Sequence, residues 1–296
     1  MEWMTRGRKA RVLPVAALGI VFALYPVQRA ISRTLGAMES DQPQLLISSG
    51  PLLQKLSMGF GPLMADIYWT RVIQYFGTHL ANQDSNLGLL APLLNITVTL
   101  DPQLKVAYQF GAIFLAEAAP VGAGRPDLAI ALVNRGIAEN PNDWQFEYQL
   151  GCIHYWNTHD YKAAAAAFWK AGNMQGSPEW MKAFAAAVEQ KGNSPDVSRA
   201  MWLEAFREAK DPRLLNNARY QLARLQVGQD LKIIDQAAAE YQKREGRAAT
   251  TMPDLVSAGI LRGVARDPSG HAYKICEGPK ACVDPASPWA AVPVSN

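Results

Sequence analysis

Four histidines (His79, His154, His159 and His271) and three cysteines (Cys152, Cys276 and Cys282) are the side chains best suited to metal or nucleophilic chemistry in this 296-residue chain. Only His154, His159 and Asp160 cluster in sequence. Two imidazoles must converge to hold a metal, and histidines five residues apart do not share a helical face. They are not read as a metal pair. No GxxxxGK[ST], GxSxG, HExxH or CxxCH occurs in the sequence. Phosphate cradling, a nucleophile elbow, a zinc-protease site and c-type haem attachment therefore lack their local signatures. Asn95-Ile96-Thr97 is a formal glycosylation triplet, which chance explains better because it falls within a helical stretch. Cys276 and Cys282 flank Glu-Gly-Pro-Lys-Ala. In an oxidising compartment they are expected to form a disulfide, and closing so short a loop would stabilise the fold by roughly 2–2.5 kcal/mol. Cys152 is expected to be a buried free thiol. No catalytic residue, metal or cofactor is assigned, and the chain is expected not to be an enzyme.

The elements that would carry any function follow from composition and pattern. Apolar residues make up 49% and charged residues 19%, enough for a buried core and too apolar for wholesale disorder. Lys and Arg number 29 against 26 acids, a net +3. That is no basic excess of the kind a nucleic-acid face requires, and no nucleic-acid partner is expected. A mean hydropathy of −0.09 excludes a polytopic membrane protein and leaves room for one span.

One such span is written at the start. Arg6, Arg8, Lys9 and Arg11 precede an uncharged apolar run, Val12 to Val27, and Arg29 and Arg33 follow it. At 1.5 Å per residue the run covers roughly 24 Å, and flanking arginines can snorkel to close the gap to the hydrocarbon thickness. The favoured reading is an uncleaved signal anchor over 12–30, with a cleaved signal and a soluble core helix as alternatives. The surplus of bases before the run places 1–11 in the cytoplasm and the rest outside it.

The middle of the chain repeats. Tyr108-Gln109-Phe110-Gly111-Ala112-Ile113-Phe114-Leu115 recurs as Tyr148-Gln149-Leu150-Gly151-Cys152-Ile153-His154-Tyr155. Gly77 precedes Gly111 by 34 residues and Ala185 follows Gly151 by 34. Ala164, Phe168 and Ala171 share a helix face, and Ser198, Trp202 and Ala205 reproduce their spacing. Pro102, Pro141, Pro178 and Pro212 close the units. Gly111 and Gly151 are 40 apart, the extra six residues falling mostly in the Pro/Gly-rich stretch 119–124, and a recurring period near 34 indicates stacked supersecondary units.

The pattern resembles the tetratricopeptide repeat (TPR) family over about residues 64–212. In the third unit Tyr148 and Tyr155 match the family's helix-A aromatics, and Ala164, Phe168 and Ala171 match its small–large–small series on helix B. The sequence departs from the consensus at Gly151, which takes the usual Leu position, and at Lys182, where an aromatic is expected. The resemblance implies an all-α fold: an α-solenoid of about four TPR-like helix pairs whose A helices line a concave groove. Carried over residue by residue, that groove comprises Tyr75, His79, Gln109, Ile113, Gln149, Ile153, Trp156, Asn157, Gln190 and Lys191. Such amide and aromatic side chains suit an extended peptide or a partner helix. The alternative is that the protein's own residues 40–60 fill the groove.

Residues 31–63 read as a linker and N-terminal cap, with a segment near the membrane surface as the alternative for 45–63. Leu214 to Gln226 and Leu231 to Arg247 read as two capping helices over 213–247. Residues 248–296 read as a small module: a short helix from Thr250, an Asp267-Pro268-Ser269-Gly270 turn, a strand over His271 to Ile275 and a loose tail from Pro285. This module resembles the tail of membrane-anchored repeat proteins of bacterial envelopes, with a faint likeness to the Asp-Pro-x-Gly-x-x-Tyr turn of pseudopilins. The expected protein is a membrane-tethered scaffold at the outer, periplasmic face of the inner membrane, binding a protein or peptide. The alternatives are an integral subunit of a larger multiprotein membrane or envelope complex, with its groove permanently occupied, and, less favoured, an enzyme with an unrecognised site.

Overall fold

The computed structural model describes residues 49–291 except 83, 85, 193 and 277, together with Pro26 and Arg29. The basic N-terminus, most of the expected anchor and the linker up to residue 48 thus lie outside the described residues. No described helix is long and apolar enough to cross a membrane.

The unit from Ser49 onward is all-α apart from one small hairpin. Its helices are α1 (Gly50–Leu56), α2 (Gly61–Ala81), α3 (Leu90–Leu100), α4 (Lys105–Ala116), α5 (Pro126–Glu139), α6 (Trp144–Ile153), α7 (Tyr161–Gly172), α8 (Trp180–Lys191), α9 (Pro195–Glu208), α10 (Pro212–Glu245) and α11 (Met252–Ser257). Strands β1 (Lys274–Ile275) and β2 (Ala281–Cys282) pair antiparallel, with Lys274 opposite Cys282. Prolines at the first turn start α1, α2, α5, α9, α10 and α11, where the missing N–H costs nothing. Asp143 and Asp160 cap α6 and α7, each carboxylate accepting a first-turn backbone N–H.

Each helix packs chiefly on its neighbours in the chain: α2 on α3, α4 on α5, α6 on α7, and α8 on both α7 and α9, with α7 on α8 the most extensive contact. The α4 helix also meets α6, one pair further on. Glycine sets the approach inside the third pair, at Gly151, and between successive pairs, at Gly111 and Gly136. A Cβ on Gly111 would lie 2.5 Å from Leu94 Cδ2, and one on Gly151 would lie 2.5 Å from Phe168 Cε1. Gly136 is equally tight against Phe146, at 2.7 Å. Ala164, Phe168, Ala171, Ser198, Trp202 and Ala205 are all buried.

Gly77 behaves differently. A Cβ there would meet nothing within 4 Å. The α2 helix instead packs through Ala65, Tyr68 and Val72, one to three turns earlier. Lys182, which stands where an aromatic is expected, is buried beneath α9. It forms ion pairs with Glu204 (3.1 Å) and Glu208 (2.6 Å) and lies 5.5 Å from the Trp169 ring centroid. Burial lowers its pKa, but the two glutamates more than compensate, so the net shift is upward.

Several boundaries differ from the sequence reading. The two expected capping helices are one 34-residue helix, α10. Gly228 costs only about 1 kcal/mol against Ala in a helix interior. Val227, Ile234, Ala238 and Tyr241 on either side of it are buried with Met252, Leu255 and Tyr273 of the C-terminal module, which holds the helix continuous. The Tyr273 hydroxyl donates to Asp230 (3.0 Å) and the Ala281 N–H to Asp235 (2.6 Å), pinning the hairpin to α10. The expected strand shrinks to Lys274–Ile275, with an isolated bridge between Arg266 and Ala272. The tail is not loose as far as residue 291: the Ser287 hydroxyl donates to Asp267 (2.5 Å), and Trp289 stacks on Tyr220 at 5.3 Å. Residues 292–296 lie outside the described residues.

Candidate functional site

The ten residues expected in the groove do not form one open surface. Tyr75 and His79 close the loop after α2. The Tyr75 hydroxyl donates to the Asn86 carbonyl (2.9 Å) and accepts from the Leu89 N–H (3.4 Å). Burial raises its pKa, the Leu89 N–H partly offsets that, and nearby Asp84 adds to it. His79 Nδ1 lies 2.8 Å from the Tyr75 carbonyl oxygen and its Nε2 lies 3.5 Å from Asp84. Both side chains therefore serve a turn, not a partner.

Gln109, Gln149 and Asn157 join α4 to α6. Gln109 Nε2 donates to Gln145 Oε1 (3.1 Å), Gln149 Nε2 to the Gln109 carbonyl, and Asn157 Nδ2 to the Ala116 carbonyl (3.2 Å). Amides with such bonds register adjacent helices and have less to offer a ligand. Ile153 is buried and belongs to the core. Gln190 is half-buried near the end of α8. Lys191 donates to the Tyr155 hydroxyl, and its Nζ lies 4.6 Å from the Tyr155 ring centroid and 5.6 Å from that of Tyr161. The Tyr155 contact raises its pKa.

Two of the ten stand out. Ile113 is 47% exposed and Trp156 is 68% exposed. Trp156 owes its position to a π-helical turn, His154–Thr158, that extends α6. The wider turn ends at His159 in the left-handed region, φ 55°. It sends Tyr155 toward Tyr161 and Lys191, anchors Asn157 on the end of α4, and leaves the Trp156 indole outward. Burial lowers the His154 pKa, with Asp160 pulling the other way. The histidines serve this same turn: His154 Nδ1 lies 3.4 Å from Thr158 Oγ1 and His159 Nδ1 lies 3.3 Å from the Tyr155 carbonyl.

The sequence reading omitted the apolar half of this surface. Phe110 and Ile73 are exposed beside Ile113 and on α2 respectively. Phe114 stacks on Phe76 with centroids 3.9 Å apart, joining α2 to α4. The signal was present: Phe110, Ile113 and Phe114 have i, i+3, i+4 spacing, on a helix whose other side is already filled by Tyr108, Gly111 and Leu115. Apolar residues all round a helix imply two faces that need cover.

Elsewhere, a shallow cleft of about 520 Å³ opens at the turn between α5 and α6, lined by Gln103, Lys105, Asn140, Asp143 and Trp144. The Lys105–Asp143 ion pair (2.7 Å) lies in it. Cys276 and Cys282 are joined in a disulfide across the β hairpin. Cys152 is free but half-buried where full burial was expected; burial raises its thiol pKa. Of the segment 40–60, the alternative occupant of the groove, residues 40–48 lie outside the described residues, and α1 packs chiefly on α3, with Gly50 against Thr99. Comparison with protein-family models, curated proteins and solved structures finds no match.

Proposed function

We propose that this chain is a membrane-tethered, TPR-like scaffold whose helix-pair stack holds a protein or peptide partner outside the cytoplasm, at the inner membrane. The observation that carries the reading is the exposure of apolar side chains on successive elements: Ile73 on α2, Phe110 and Ile113 on α4, and Trp156 on the turn after α6. Aromatic and aliphatic anchors displayed on rigid elements are what a binding surface offers. The neighbour-on-neighbour packing of the helices and the close glycine contacts within and between the pairs support the repeat reading. The uncharged run over 12–30, with its surplus of bases on the N-terminal side, supports the tether and its orientation. Tethering confines the surface to the bilayer plane and raises the effective concentration of a membrane-bound partner.

A gentle detergent pull-down with mass spectrometry tests the assignment, using Trp156→Ala and Ile113→Asp. Both side chains are exposed, so the fold should tolerate the changes. Proteins retained by the unaltered chain and lost from both variants identify the partner. Equal retention by all three chains refutes the surface. Reporter fusions after Arg33 test topology: activity of a reporter that works only in the cytoplasm would reverse the proposed orientation.

A further inference from the structure

Among the described residues, the largest concentration of exposed apolar side chains is not on the proposed partner face. It lies at the α1–α2 corner. Leu52, Leu56, Met58, Phe60, Leu63 and Ile67 are all exposed, Met58 at 86% and Phe60 at 67%. From Ser49 to Ala65 the sequence carries no acid and a single charge, Lys55. The corner cannot fold these side chains inward. Gly50 sits against Thr99, a Cβ on Gly61 would lie 2.9 Å from the Leu100 carbonyl, and Leu53 is buried, so α1 and the start of α2 are seated with their opposite sides outward. Met58 (φ 49°) and Gly59 (φ 93°) turn the chain in the left-handed region and put Met58 and Phe60 at the tip. The turn satisfies its own polar groups: Phe60 N–H donates to the Ser57 carbonyl (2.8 Å) and the Ser57 hydroxyl to the Gln54 carbonyl (2.7 Å). Such a tip can enter an apolar medium without stranding these backbone groups.

We infer that this corner inserts into the interfacial layer of the phospholipid bilayer, as a second membrane contact beside the anchor. The inference rests on the tether reading given above. The uncharged run ends at Val27, and α1 starts at Gly50. Fully extended, the chain between them spans at most about 75–80 Å, so the corner is kept within reach of the membrane. The shape also favours lipid: a projecting turn with leucine, methionine and phenylalanine and one lysine suits the boundary of headgroups and acyl chains. Helical and polyproline peptides dock in grooves, whereas this turn projects.

The test uses the full chain in phosphatidylethanolamine–phosphatidylglycerol vesicles, with a protease recognition sequence inserted after Ala37 and a tag on each side of it. After cleavage, flotation follows the two fragments separately. The N-terminal fragment reports the anchor: its loss from the vesicles refutes the tether. The C-terminal fragment reports the corner, whatever the anchor does. It should float with the vesicles. Met58→Asp/Phe60→Asp should lower its bound-to-free ratio about tenfold or more, while Phe60→Leu keeps it bound. Circular dichroism should show unchanged helix content in every variant. Release of the unsubstituted C-terminal fragment overturns the inference, as does equal flotation of the Asp variant. Release as a dimer would assign the corner to a second copy and equally overturn the lipid assignment.

Discussion

The first and third helix pairs carry the same sequence register but use it differently. In α6/α7, Gly151 admits the Phe168 ring to the helix backbone, and Ala164 and Ala171 bury on either side of that ring. In α2/α3, the glycine at the matching place, Gly77, faces open space. The α2 helix is 21 residues long against 10 for α6, and its contact with α3 has moved toward its N-terminal half, to Ala65, Tyr68 and Val72. A repeat in sequence thus marks where close packing is possible. The neighbours decide whether it is used. The third pair lies between two others, whereas the first has a pair on one side only, with α1 on its B helix.

The largest test of this contrast is Phe168→Ala, expected to cost about 3–5 kcal/mol of stability because the ring is fully buried. A denaturation midpoint unchanged from the unaltered chain would remove the third pair from the core. Next comes Gly151→Ala. Its methyl must displace an aromatic ring that has no room, so a loss of about 1–3 kcal/mol is expected. Gly77→Ala should act in the opposite direction, raising stability by up to about 1 kcal/mol, since helix propensity improves and nothing is in the way. Thermal melts of the two variants side by side decide the matter; shifts of the same sign would show that the two pairs pack alike. Phe60→Ala, at the exposed corner before the first pair, should stay within about 0.5 kcal/mol.

Acid should act on neither pair first but on the C-terminal module. Asp267 is buried. Burial raises its pKa, but hydrogen bonds from Ser269, Ser287 and the His271 N–H outweigh that and hold it below the usual carboxylate range. The unfolded-state value is about 3.9. The stabilisation is therefore complete above that pH and is lost as pH falls through the lower, folded value. Melting from pH 7 downward should show a decline that Asp267→Asn flattens. A decline of the same size in the variant would place the acid sensitivity elsewhere.

Much of the architecture was legible because it rests on spacing. Small and aromatic residues three and four apart, with prolines between them, are enough to read residues 64–212 as helical. Boundaries that depend on long-range contact were not legible. Leu214 to Gln226 and Leu231 to Arg247 read as two helices, yet α10 runs through residues 227–230 because the C-terminal module covers Val227 and Ile234. Ser287 and Trp289 read as tail, yet they close on Asp267 and Tyr220. The candidate surface was half legible. Ile113 and Trp156 are where a partner could meet them, while Gln109, Gln149 and Asn157 are engaged between helices.

The sequence by itself determined which faces are apolar, where helices start and stop by proline and capping, and the charge-free run with its basic flanks. These are local properties, written in residues a few positions apart. Only the tertiary structure decided which apolar face became core and which stayed exposed. Phe168 and Phe110 are both apolar positions on helices of the repeat, but one meets a glycine across a helix pair and the other meets solvent. That choice depends on what lies opposite in space, which residue type and spacing alone do not specify.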